Sequence, residues 1–139
     1  MTQEEEITRN LTLIEYYKQQ LESIDMQLQY LQAAIADYQR AKVTVEQLHA
    51  VDDNSDILIP VGGGAFVNGT LKNASSVLLG VGAGLVMEKT VDETIAKLDE
   101  RIHKVQESYE KVVSLAQKIQ GDAEEISSKT QKMMEEAQR

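Results

Sequence analysis

From Val91 onward the apolar residues Ile95, Leu98, Ile102, Val105, Tyr109, Val112, Ala116, Ile119, Ala123 and Ile126 keep a four-three spacing, and Thr130, Met133 and Ala137 extend it without a break. That alternation is the seam of a coiled coil, in which one stripe of a long helix packs against another helix. The first part of the chain carries a matching stripe. Ile7, Ile14, Leu21, Leu28 and Ile35 fall at one seam position, and Tyr17, Ile24, Leu31, Tyr38 and Val45 at the other. The stripe weakens at Asn10 and Lys42 and stops near Ala50, before "DDNSD", where short polar side chains compete with helical backbone bonding.

"TVDE" heads the second helix as a capping box, with the Thr90 hydroxyl accepting a backbone N–H and Glu93 reaching back. Glu93/Lys97, Glu100/Lys104 and Glu107/Lys111 have the spacing and order of favourable helical pairs, each contributing about 0.3 kcal/mol on a solvated face. Helices of about 45 residues span roughly 70 Å. Joined by a compact connector, they can zip only antiparallel, which sets Ile7 near Met133 and Ile14 near Ile126. A helix pair of this kind has no binding pocket of its own.

Seven of the eight glycines, and the single proline, Pro60, lie in the middle of the chain. The spacing predicts two β-hairpins, "ILIPV" turning through Gly62 to Gly64 into "AFVNGTL", and "SVLLGV" turning near Ala83 into "GLVMEKT". An isolated hairpin is marginal in water. These strands carry Ile57, Ile59, Val61, Phe66, Val67, Leu71, Val77, Leu78, Leu79, Val81, Leu85 and Val86, more apolar surface than one subunit can cover, and they leave edges open to another chain. We expect an assembly module closed by partner strands, and this chain alone should associate rather than stay monomeric. The predicted segments are residues 1–50 (first helix), 51–89 (hairpins) and 90–139 (second helix), within one domain of mainly α class with a small β module.

Composition excludes several functions. The formal charge of −9 divides as −4 over residues 1–50, −2 over 51–89 and −3 over 90–139, so no segment offers the basic face that nucleic acid needs. With no cysteine there is neither disulfide nor thiolate metal site. The acidic start "MTQEEEITRN" is unlike a signal peptide, and no run approaches the ~20 apolar residues of a spanning helix; "VLLGVGAGLVM" is too short. A cytoplasmic protein without membrane partner is expected, and the sequons at Asn10, Asn68 and Asn73 are read as chance matches. The glycine runs fit neither GxGxxG nor GxxxxGK[ST], which leaves no nucleotide site. His49 and His103 sit in separate helices without ligand spacing, so catalytic, metal and cofactor residues are all absent and no enzyme activity is expected. The acidic clusters at 4–6 and 124–125 read as solvated surface.

Near the chain ends the apolar stripe broadens. Leu11 and Leu13 flank Ile7 and Ile14, and Met134 flanks Met133, giving more apolar surface than a two-helix seam requires. An exposed apolar patch of this kind is a contact surface for something nonpolar, and methionine adapts to varied partners. Val113 and Leu115 show a similar excess that nothing beyond local packing accounts for.

The order of a heptad helix, paired hairpins with "ILIPVGGGAFVNGTL" and "VLLGVGAGLVMEKTVDE", and a second heptad helix resembles the prefoldin α subunit across essentially the whole chain. The central block is the specific part. The resemblance implies two α and four β subunits pooling their hairpins into a double β-barrel with six pendant coiled coils, whose tips hold non-native proteins and pass them to a group II chaperonin without ATP. It assigns barrel positions to Ile57–Val61, Ala65–Leu71, Val77–Val81 and Leu85–Lys89, and client-binding tips to Ile7, Leu11, Leu13, Ile14, Ile126, Met133 and Met134. The alternative is a coiled-coil structural adaptor that assembles through its hairpins and does no chaperone work.

Overall fold

The computed structural model describes residues 2–138. Helix α1 (Gln3–Gln47) runs into a single 3-10 turn (Leu48–Ala50), then come β1 (Ser55–Gly62), β2 (Ala65–Leu71), β3 (Ser76–Gly82) and β4 (Leu85–Thr90), and α2 (Val91–Ala137) follows β4 directly. Both helices begin with reciprocal caps. Thr90 and Glu93 exchange backbone-to-side-chain hydrogen bonds of 3.3 and 3.1 Å, as the motif predicts. Thr2 and Glu5 do the same at 3.2 Å each, a second capping box. Because Glu93 serves the cap, its expected pairing with Lys97 gives way: the Lys97 Nζ lies 3.4 Å from Glu100, which also takes Lys104 at 3.1 Å.

The chain forms two compact units. The first joins the described residues up to Ala34 with those from Val105 onward. Its two helical segments run antiparallel. The Gln3 side-chain amide donates to the Met133 carbonyl at 3.4 Å, Lys129 reaches Glu6 at 3.8 Å, and Gln32 donates to the Tyr109 hydroxyl at 3.0 Å. Ile24 and Ile119 are buried in the seam, together with two polar residues, Asn10 and Thr130. Both have partners: the Thr130 hydroxyl donates to the Ile126 carbonyl at 2.6 Å, and the Asn10 amide donates to the Met133 sulfur at 3.9 Å. Asn10, one of the three sequon asparagines, is therefore inaccessible unless the helices part. Ala137, counted into the seam from its spacing, is exposed.

The second unit, Ile35–Lys104, holds both hairpins and the adjoining helical segments, again antiparallel, with Lys42 Nζ 2.7 Å from Asp99 and His49 Nε2 3.0 Å from Asp92. Its core is Ala74, Leu79, Val91, Thr94, Leu98 and Ile102. Here the spacing misleads by one residue. Thr94 is almost wholly buried, and Ile95, the seam residue expected, is only half-buried. Thr94 can occupy the interior because its hydroxyl donates to the Thr90 carbonyl one turn back, at 2.8 Å.

The hairpins are two separate two-stranded antiparallel sheets with the same turn. Gly63-Gly64 and Ala83-Gly84 are two-residue loops with positive φ at both positions (60° and 78°; 52° and 72°), the type I′ geometry whose twist matches the strands. A register shift at Val61 and another at Val81 precede them, each followed by a glycine at φ 102°. The "DDNSD" stop also builds local structure. Asn54 adopts φ 61° and donates its N–H to Leu71 at 2.7 Å, while the Asp53 carboxylate accepts from the buried Ala74 amide at 2.8 Å. The β2–β3 connection is fixed by the Asn73 side chain, which accepts from the Ser75 N–H and hydroxyl.

Candidate functional site

Directly opposed residues of an antiparallel pair share a face. In the first hairpin Ile57 opposes Gly69 and Ile59 opposes Val67, whereas Leu58 opposes Asn68 and Pro60 opposes Phe66. A Cβ on Gly69 would lie 2.8 Å from Ile59 Cδ1, so the two isoleucines close over the bare glycine. Both faces of this sheet are thus apolar and both are open, with Leu58 66% and Phe66 59% exposed. Ile57, Ile59, Val61 and Val67 are exposed as well, and Leu71 is half-buried. Leu58 is missing from the apolar strand residues named from the sequence but lies within the barrel segment Ile57–Val61 that the resemblance implies.

The second hairpin differs. Leu79 is 8% exposed: it lies in a cleft with Ala96, Lys97 and Arg101 of α2, and the Arg101 guanidinium donates to the Gly80 carbonyl. This residue, placed among the assembly set by its sequence, is covered within its own chain because the strand's inner face rests on the head of α2. On the opposite face Leu78 is 73% exposed and Val86, across from Gly80, is open as well. Val81, Leu85 and Met87 are also exposed, Met87 although it stands directly across from Leu79, and Val77 is half-buried. Each two-stranded sheet has unpaired edges, and edges with apolar faces attract further strands.

At the helix ends the sequence-derived tip residues divide. Ile7, Leu13, Ile14, Ile126 and Met133 are half-buried. Leu11 and Met134 are exposed and line one cleft of about 310 Å³ with Ile14, Ser127 and Thr130. A second groove, of about 510 Å³, continues from Ile14 and Ser127 along the same helical pair, past Leu21, Asp25, Gln120 and Ala123, so the helix pair does carry clefts, contrary to the expectation that it has no pocket of its own. Among the described residues no group of three or more acidic or histidine side chains is placed to hold a metal ion, and no helix is long and apolar enough to cross a membrane.

Paired long helices whose connecting hairpins present uncovered apolar faces and open strand edges define a class: subunits built to be completed by other subunits. The prefoldin subunit family matches residues 17–136, and the chain belongs to this family of chaperones. Among its relatives, the prefoldin subunit alpha of Methanobrevibacter smithii is 34% identical over 100 residues, covering 70% of this chain and 68% of the relative. The prefoldin subunit alpha of Methanosarcina barkeri is 35% identical over 101 residues, covering 70% of each. Two solved structures share the fold. Filamentous PFD from Methanocaldococcus jannaschii superposes with a TM-score of 0.75 at 20% identity, over 84% of this chain and 97% of that one. The prefoldin beta subunit from Thermococcus strain KS-1 gives 0.60 at 18% identity, over 91% and 90%.

Proposed function

We propose that this chain is the α-type subunit of a hetero-oligomeric, ATP-independent chaperone that holds non-native proteins at its helix ends and delivers them to a group II chaperonin. The observation that carries the reading is the uncovered apolar surface of the hairpins in a member of the prefoldin family. Leu58, Phe66, Leu78 and Leu85 lie in open solvent in the single chain, and four β-type subunits and a second α copy would bury them in a shared double barrel. Leu11 and Met134 supply free apolar contact at the helix ends, where several weak sites on one assembly add by avidity, and release follows from competition by the chaperonin.

Light scattering of a chemically unfolded protein diluted into the chain co-expressed with a β-type subunit, without nucleotide, tests this directly. Suppression near stoichiometric amounts is expected, and Leu11→Ser with Met134→Ser should weaken it while assembly stays intact. One observation favours the adaptor reading: most of the tip set lies half-buried in the seam, which leaves only two well-exposed apolar side chains from it. A complex that assembles but suppresses nothing would establish that alternative.

A further inference from the structure

The groove between α1 and α2 in the first unit has a floor and a rim of different chemistry. Its floor is Ile14, Leu21 and Ala123, each half-buried, and its rim carries the exposed carboxylates of Glu22, Asp25 and Glu124 against a single cation, Lys18. Elsewhere in the helical segments two carboxylates are matched by a cation of the other helix, Glu6 by Lys129 and Asp99 by Lys42. The rim is different. Asp25 accepts only from the Gln29 amide, at 3.1 Å, and Glu124 from the Gln120 amide, at 3.0 Å. None of the described cations comes within 4.0 Å of Glu22, Asp25 or Glu124. An apolar trough between uncompensated negative charges is complementary to a ligand with an apolar face flanked by positive ones.

We propose that this groove binds cationic amphipathic segments of non-native proteins, short helices with leucine-like side chains on one face and Lys or Arg beside them. From Leu11 to Asp25 the two continuous clefts follow α1 for roughly 20 Å at 1.5 Å per residue, enough for about three to four turns of a docked helix. Such a segment lies along the seam as a third helix, its apolar side chains over Ile14, Leu21 and Ala123 and its cations on the rim. The inference rests on the chaperone reading and refines it: the helix ends supply unselective apolar contact, and the groove adds a preference for basic clients.

The test uses the complex co-expressed with a β-type subunit and two labelled 14-residue peptides, one of leucine and lysine in amphipathic order and its leucine and glutamate counterpart, followed by fluorescence anisotropy. The basic peptide should bind about tenfold more tightly, the effect of three exposed pairings. The triple substitution Glu22→Gln, Asp25→Asn, Glu124→Gln should abolish the preference. A charge-matched control outside the groove, Glu15→Gln, Glu110→Gln, Glu136→Gln, should retain it. Equal loss in both triples would assign the preference to net charge and overturn the proposal, as would equal affinity for the two peptides. Sedimentation of the complex into larger species that the basic peptide disperses would make a second copy the occupant, also overturning it. Aggregation suppression of an uncharged client separates the two levels: if it persists while the peptide preference is absent, the groove inference fails and the chaperone reading stands; if it is absent from the unmodified complex, the chaperone reading itself fails.

Discussion

Asn10 and Met133 meet across the helical seam of the first unit, the buried Asn10 amide donating to the Met133 sulfur at 3.9 Å. A thioether is a weak acceptor, so the amide loses more hydration than this bond returns. A polar residue in a coiled-coil seam fixes register at a cost in stability. Asn10→Leu is therefore expected to stabilise the chain by about 1 kcal/mol, read as a higher urea midpoint at unchanged slope, and to loosen helix pairing specificity, read by sedimentation as a broader distribution of species.

Ala83 occupies the first loop position of the second hairpin at φ 52°, where the first hairpin has Gly63 at φ 60°. A Cβ in the left-handed region costs about 1 kcal/mol. Replacing Ala83 with Gly should raise stability by about 0.5 kcal/mol after the added freedom of the unfolded chain is subtracted. Thermal unfolding of the two proteins side by side decides it, and a lower midpoint for the glycine variant would refute the argument.

Gly121 lies within α2, and a Cβ built there meets nothing within 4 Å. Mid-helix glycine costs about 0.5–1 kcal/mol relative to alanine. Gly121→Ala should return that amount without disturbing a neighbour, measurable as a shift in the chemical unfolding midpoint.

Hydrogen bonds from Lys104 and Lys97 hold Glu100 below its ordinary value of 4.5, and the bond to Asp99 raises Lys42 above 10.5. A depressed carboxylate stabilises the fold above its unfolded value, and this contribution is lost as pH falls through the folded one; a raised lysine stabilises below its unfolded value and loses this as pH rises through the folded one. Between about pH 5 and about pH 10 neither group should add a slope. Below that window Glu100→Gln should blunt the acid-induced fall in the urea midpoint, and a fall identical to that of the unsubstituted chain would exclude Glu100 as a contributor.

Much of this architecture is legible in the chain because it is written in local periods and local chemistry. The four-three spacing, the Thr90/Glu93 cap and the stop at "DDNSD" depend on residues within a turn or two of one another, and they appear where the spacing puts them. The glycine triplet 62–64 and the Gly82-Ala83-Gly84 run mark the hairpin loops for the same reason, since few side chains tolerate φ of about 50° to 100°. The site is less legible. Leu78 and Leu79 are adjacent leucines in one strand, yet one is open and the other covered by α2.

By itself, then, the sequence determined the kinds of element, their order and their antiparallel return, because helical and strand periods are properties of a single segment. Only the tertiary structure decided that Thr94 rather than Ile95 is buried, that Glu93 serves a cap and leaves Lys97 to Glu100, and that three rim carboxylates stand without cations over an apolar groove. Those outcomes turn on a fraction of a helical turn and on which residue of the other segment lies opposite. Spacing along one chain does not carry that information, since exposure is set by what packs across from a residue and not by its sequence neighbours.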